Sequence, residues 1–81
     1  MLDMKDISVK FGRFLRNHRE DQNLTQEAVA EQLGIAQAQY SRIERGLRNV
    51  DFPMALVICD IIKVEPEKFM REYREYIESL K

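Results

Sequence analysis

The sequence predicts an all-α protein, a bundle of five helices around one small core. Apolar residues recur three, four and seven positions apart in successive segments, which places them on one side of a helix. Residues that favour helix ends stand between these segments, chiefly Thr25, Gly34, Gly46 and Asp51. At 81 residues, the chain is expected to form a single domain, residues 1–81.

The first helix is predicted over residues 6–20. Its apolar side is formed by Ile7, Phe11, Phe14, Leu15 and His18. Asn23 is expected to end this segment, because asparagine tolerates the left-handed conformation better than most residues. No Asp, Cys or second His stands in a suitable relation to His18, so we interpret it as a packed side chain rather than a ligand or catalyst.

A pair of short helices follows. Thr25 is a suitable N-cap and Gly34 a suitable C-terminal residue for the second helix, and the third begins almost at once and ends at Gly46. Two helices this close in sequence cross at a steep angle, the helix-turn-helix geometry that presents the later helix to the DNA major groove. The outward face of that helix carries side chains that hydrogen-bond to bases or phosphates: Gln37, Gln39, Ser41, Arg42 and Arg45.

The fourth helix, predicted over residues 52–63 with Asp51 as its N-cap, is apolar on two sides. One stripe, which we expect to face the core, is formed by Phe52, Ala55, Leu56, Cys59 and Ile62. The second stripe is formed by Met54, Val57, Ile58 and Ile61. Because a surface helix of a monomer does not expose two apolar faces, part of this helix is expected to be covered by the last helix or by another chain.

Pro66 opens a fifth helix with an apolar seam among charged residues. This seam is expected to need a partner, and a two-fold dimer is the commonest one, so residues 66–81 are predicted to be a dimerisation helix. The predicted interface draws on the fourth and fifth helices: Met54, Val57, Ile61, Phe69, Tyr73, Tyr76, Ile77 and Leu80.

Composition excludes several classes of protein. A net charge of −1 argues against non-specific binding to nucleic acid, although Arg42, Arg45 and Arg48 lie close together. The acidic N-terminus is unlike a secretion signal, and no apolar run approaches the ~20 residues of a membrane span, so we expect a cytoplasmic protein without a membrane partner. The single Cys59 leaves no internal disulfide and no cysteine-based metal site. With no nucleophile, paired carboxylates or metal cluster, no enzyme activity and no cofactor are predicted.

The motifs resemble the phage-repressor and Cro-like helix-turn-helix family, also called the XRE type, over residues 11–69. The resemblance rests on Leu24-Thr25-Gln26-Glu27, on Ala30 with Leu33-Gly34, and on Ser41-Arg42-Ile43-Glu44-Arg45-Gly46. It implies a repressor-like five-helix bundle with a central helix-turn-helix. It also implies that Gln26 holds a phosphate and orients the recognition helix, and that Arg19 and Glu44 form a buried or half-buried ion pair.

In this family the positions of Gln37, Ala38, Gln39 and Arg42 face base edges. Together with the phosphate candidates, the expected DNA-binding residues are Thr25, Gln26, Gln37, Ala38, Gln39, Ser41, Arg42, Arg45, Arg48 and Asn49. The chain departs from the family at Ala36, where a Ser or Thr N-cap is usual, and at Ala38, where a long polar residue is common. Lys63 replaces a C-terminal glycine and is therefore expected to adopt a left-handed conformation.

The resemblance implies a homodimeric transcriptional regulator that binds double-stranded DNA at a two-fold symmetric operator, with no small-molecule ligand. In length and in its fifth helix the chain is similar to the small controller proteins of restriction-modification systems. The alternative is an antitoxin-type interaction module, in which the last helix masks a toxin and DNA binding is secondary. An unpartnered apolar seam on a monomer would favour the antitoxin, and a satisfied seam in a homodimer would favour the regulator.

Overall fold

Five helices joined by short loops form the computed structural model, which describes residues 3–79 without the side chains of residues 76 and 77. They are α1 (Met4–Asp21), α2 (Gln26–Leu33), α3 (Gln37–Glu44), α4 (Phe52–Ile61) and α5 (Pro66–Ser79). The described residues contain no strand, so the predicted all-α class is confirmed. Within residues 3–79, no helix is long and apolar enough to cross a membrane.

The helix ends follow the capping residues in the sequence. The Thr25 hydroxyl accepts a hydrogen bond from the Ala28 amide at 3.0 Å, and the Asp51 carboxylate accepts one from the Met54 amide at 2.8 Å. Helix α1 begins two residues earlier than predicted, because the Asp3 carboxylate caps it through the Lys5 amide at 2.9 Å.

Three predicted left-handed residues are confirmed. Asn23, Gly34 and Lys63 have φ values of 58°, 72° and 60°. Gly34 lies between α2 and α3, where its positive φ turns the chain sharply and lets α3 begin within three residues. Lys63 adopts the same conformation with a Cβ atom, which places a small amount of backbone strain in the link to α5.

The core lies where α2 and α3 pack against α1 and α4. Its most completely buried large side chains come from four helices: Leu15, Val29, Tyr40, Ile43, Ile58 and Ile62. Helices α1 and α3 approach so closely at Gly12 that an added Cβ would overlap the Glu44 carbonyl oxygen and lie 2.7 Å from its carbon. Glycine is therefore required at this crossing because the two backbones are in contact.

The prediction for the core stripe of α4 is wrong at two residues. Phe52 remains 69% exposed and Leu56 39% exposed, whereas Ile58 from the other stripe is fully buried beside Cys59 and Ile62. Helix α4 is apolar nearly all round, so its own pattern does not define which side faces inward. Packing against α2 and α5 sets its rotation about the helix axis.

An aromatic cluster holds α5 against α1. The Phe69 ring lies 4.8 Å from the Phe11 ring, 5.1 Å from the Phe14 ring and 5.1 Å from the Tyr73 ring, measured between centroids. These distances are typical of favourable aromatic pairs. His18 packs on Phe14 at 4.5 Å, as its interpretation as a packed side chain requires.

Candidate nucleic-acid interface

Helix α3 has one buried side and one exposed side. Tyr40, Ile43 and Glu44 are buried, and Ser41 is half-buried. The exposed side carries the four residues predicted to face bases: Gln37, Ala38, Gln39 and Arg42. All four side chains are therefore accessible to a DNA groove.

The helix begins without a side-chain cap. Ala36 occupies the N-cap position with extended backbone, φ −69° and ψ 147°, and its methyl group accepts no hydrogen bond from the first turn. The departure from a Ser or Thr N-cap therefore leaves α3 without a side-chain cap. The first amides of α3 lack a side-chain acceptor and remain able to bind water or a phosphate oxygen.

The buried side of α3 is anchored by an ion pair between Arg19 and Glu44. Arg19 Nε lies 2.7 Å from Glu44 Oε2, and Arg19 Nη2 lies 3.1 Å from Glu44 Oε1. Only 8% of Arg19 and 5% of Glu44 are exposed. The buried pair implied by the family resemblance is thus present, with bidentate geometry that fixes orientation as well as distance.

The electrostatics of this cluster keep Glu44 ionised. Burial alone would raise the pKa of the Glu44 carboxyl, but hydrogen bonds donated by Arg19 and Gln26 outweigh burial and lower it. Burial raises the pKa of the neighbouring Tyr40 phenol far above its usual range, and the negative charge of Glu44 adds to that effect. The hydrogen bond with Glu44 raises the pKa of Arg19, so the guanidinium stays charged.

Gln26 connects the start of α2 to the same cluster. Its Nε2 donates to Glu44 Oε1 at 3.0 Å, and the side chain is half-buried. This contact places the Gln26 amide beside α3 and leaves a second N–H on the same nitrogen for another acceptor. Thr25, the neighbouring predicted contact, is exposed, with its hydroxyl oxygen engaged in capping α2.

The predicted DNA-binding residues that follow α3 differ in their exposure. Arg45 and Asn49 are exposed, and Asn49 Oδ1 accepts a hydrogen bond from the Ser8 hydroxyl at 3.1 Å. Arg48 is half-buried, and its Nη1 is covered without a hydrogen-bond partner among the described residues. Arg48 and Asn49 both line a groove with residues of α1, α4 and α5, which none of Gln37, Ala38, Gln39 or Arg42 lines.

The predicted interface residues have different environments. Val57 is half exposed, while Met54, Ile61 and Phe69 are partly buried against the core. Tyr73, only 6% exposed, is buried within its own chain against Phe69. The side chains of Tyr76 and Ile77, and the whole of Leu80, lie outside the described residues.

Sequence reasoning did not identify a second surface, formed by apolar side chains at the N-terminal ends of α1, α4 and α5. Met4 and Met70 are 68% and 63% exposed, beside the exposed Phe52 and Leu56. The apolar character of α4 was the available signal, but nothing in its pattern showed which stripe is exposed. Among the described residues, no group of three His, Cys, Asp or Glu side chains could hold a metal ion.

The chain is similar to known helix-turn-helix proteins. Residues 10–75 match the helix-turn-helix domain family. The chain is 27% identical over 74 residues to y4aM of Sinorhizobium fredii, named as an uncharacterised HTH-type transcriptional regulator, covering 91% of this chain and 52% of that protein. It is 42% identical over 48 residues to the control protein C.MunI of Mycoplasma sp., covering 58% of this chain and 65% of that protein.

A second Sinorhizobium fredii protein, y4wC, is also named as an uncharacterised HTH-type transcriptional regulator. The chain is 29% identical to it over 73 residues. The chain spans about half the length of the two Sinorhizobium relatives, at 52% and 51%. The match to the family covers most of the chain and includes α2, α3 and the Arg19–Glu44 pair. The chain therefore belongs to the helix-turn-helix domain family, in its XRE-like form.

Proposed function

We propose that this protein is a sequence-specific DNA-binding transcriptional regulator that acts as a homodimer on a two-fold symmetric operator. The observation that carries the proposal is the division of α3 into a buried side, held by Arg19 and Glu44, and an exposed side of glutamine and arginine. A helix held rigidly from behind can present these side chains to base edges in a constant orientation.

Within this proposal, three exposed residues read bases. Gln37 and Gln39 can each donate and accept hydrogen bonds, which suits an adenine edge, and Arg42 can donate twice to a guanine. Ala38 can contact only a thymine methyl group. Because few side chains discriminate among bases, the sequence-dependent shape of the DNA supplies part of the specificity.

Other residues position the protein on the phosphate backbone. Arg45 lies exposed directly after α3, and Gln26 holds an N–H free beside the N-terminus of α2. Thr25, Ser41 and Asn49 are neutral candidates for the same role. Arg48 is the weakest of the predicted phosphate contacts, because its guanidinium is partly covered by its own chain.

The names of the relatives support a regulatory role. Two are named as HTH-type transcriptional regulators and one as a control protein. A dimer would place two copies of α3 on successive major grooves, which matches operator symmetry to protein symmetry. One copy of so small a helix offers few base contacts, so a second copy is needed for strong discrimination.

Selection of bound sequences from a random DNA library tests the proposal with the purified protein. We expect a symmetric consensus with half-site centres about one helical turn apart, ~34–36 Å along the DNA. A consensus with a single half-site would contradict the dimer but retain sequence-specific binding. Absence of any enrichment would reject the DNA-binding function itself.

A further inference from the structure

An open apolar groove runs between α1, α4 and α5, away from the exposed side of α3. Its volume is about 560 Å³, and its floor includes Phe11, Ile43 and Cys59. Four large side chains at its walls and rim are substantially exposed: Met4 at 68%, Phe52 at 69%, Leu56 at 39% and Met70 at 63%. None of Gln37, Ala38, Gln39 or Arg42 lines this groove.

The exposed area is large for a chain of this size. A fully exposed side chain of this kind presents on the order of 200 Å², so the exposed fractions of these four residues give roughly 450 Å². Two copies would then contribute roughly 900 Å² of apolar surface, and the polar rim brings the total toward the ~1,200–2,000 Å² of a stable interface. The apolar part alone therefore supplies about three quarters of the ~1,200 Å² at the lower end of a stable interface.

We propose that this groove is the surface through which two copies of the chain associate. The inference rests on the homodimer of the proposed function and identifies the residues that form it. The same surface contains a recess and, beside it, a protruding ring, Phe52, at the first position of α4. A two-fold axis through this region places each Phe52 ring in the recess of the other copy, which closes the assembly at two.

The Arg48 side chain provides a second observation about this groove. Its Nη1 is covered by the protein without a hydrogen-bond partner among residues 3–79, and the side chain lines the groove. A guanidinium nitrogen shielded from water is unfavourable until it meets an acceptor. A second copy seated on the groove would lie beside the Arg48 side chain, and it would leave the base-reading side chains of both copies free.

This surface differs from the interface that the sequence predicts. Val57, a member of the predicted interface, is half exposed but does not line the groove, although it follows Leu56 directly in α4. Successive residues of a helix point about 100° apart, so one-residue neighbours test two different faces. Val57 is therefore a control on the same helix for the groove residue Phe52.

The test compares Phe52→Glu and Met70→Glu with Val57→Glu and Leu47→Glu. All four side chains are at least half exposed, at 69%, 63%, 50% and 54%, so each can accept a carboxylate without being forced into the core. Phe52 also stands in the first turn of α4, where a negative charge favours the helix. Circular dichroism and thermal melting of each variant show that the fold is retained.

Sedimentation of the DNA-free proteins over a wide range of concentrations measures association. We expect the unmodified chain to dimerise, and the two groove variants to raise the dimer dissociation constant about a hundredfold or more, because a carboxylate would be buried in an apolar interface. Val57→Glu and Leu47→Glu should change it by less than about threefold. A monomeric unmodified chain, or a dimer that Val57→Glu disrupts and Phe52→Glu does not, would overturn the groove assignment.

DNA binding is measured separately on a half-site and on the full consensus from the selection experiment. A folded Phe52→Glu monomer should retain weak half-site binding and lose the additional affinity for the symmetric site. Loss of association with intact half-site binding therefore supports the groove. Absence of DNA binding by the unmodified dimer would instead reject the proposed regulator, while the sedimentation result would still stand.

Discussion

The Arg19 guanidinium and the Glu44 carboxylate form a bidentate ion pair between residues 25 positions apart in sequence, with contacts of 2.7 and 3.1 Å. A third nitrogen of Arg19, Nη1, donates to the Leu24 carbonyl at 2.7 Å. Gln26 completes the cluster through Glu44 Oε1 at 3.0 Å. One buried arginine therefore connects α1, the loop before α2 and the end of α3.

Removing one partner of this pair should destabilise the protein strongly. Glu44→Ala leaves the Arg19 guanidinium buried without its counter-ion and should lower the free energy of unfolding by about 3–5 kcal/mol, measured by urea denaturation. The control is Arg16→Ala, which removes an exposed pair with Glu20 at 3.8 Å and should cost less than about 1 kcal/mol. Equal losses in the two variants would contradict a structural role for the buried pair.

Protonation of Glu44 should lower the stability of the protein at acidic pH. Its carboxyl has a pKa below the ordinary value of 4.5, so the unfolded chain binds this proton more tightly than the folded chain. The stabilisation is therefore complete above about pH 4.5 and is lost as the pH falls through the lower folded pKa. Urea midpoints measured from neutral to acidic pH should fall less steeply for Glu44→Gln than for the unmodified chain. Glu20→Gln, an exposed control, should keep the full slope.

Gly12→Ala should be destabilising although alanine favours helices. The new Cβ would overlap the Glu44 carbonyl oxygen and lie 2.8 Å from that of Ile43, so α1 and α3 must separate. We expect a loss of about 3 kcal/mol or more in the free energy of unfolding. Gly34→Ala meets no atom within 4 Å and should cost only the ~1–2 kcal/mol of a left-handed alanine. A stabilised Gly12→Ala variant would show that the two helices are less closely packed.

Ala36→Ser should stabilise α3. The backbone of Ala36 is already extended as an N-cap requires, so a hydroxyl there can accept from an amide of the first turn. The expected gain is about 1 kcal/mol, measured by thermal or urea unfolding. Asp51→Ala at the start of α4 removes an existing cap and should lose a similar amount, which provides the opposite control. No gain at Ala36 would indicate that water satisfies those amides equally well.

Substitutions should distinguish the residues that read bases from those that bind phosphates. Gln37→Ala and Arg42→Ala should each relax the preference at particular positions of the consensus, by about 1–3 kcal/mol. Arg45→Ala should weaken binding to all sequences alike and reduce the salt dependence by about one charge. Gln32→Ala, at an exposed glutamine of α2, should change neither quantity. An unchanged sequence preference for both Gln37→Ala and Arg42→Ala would reject the assigned readout.

Much of the fold could be predicted because helix ends depend on residues a few positions apart. Thr25 and Asp51 cap through amides three residues ahead, and Gly34 and Asn23 turn the chain through their own backbone. The Arg19–Glu44 pair came from a resemblance, since nothing in the spacing of the two residues alone indicates contact. The exposed side of α3 followed from its polar and apolar alternation around the helix.

Tertiary structure decided what local patterns leave undefined. Helix α4 has no polar face to set its rotation, so only packing determined that Ile58 is buried and Phe52 exposed. The same packing buried Tyr73 in its own chain and turned Arg48 toward the groove. The sequence by itself determined where helices begin and end, and which two of them form the helix-turn-helix. The contacts among five helices decided which apolar surface remains open, because burial depends on residues that are distant along the chain.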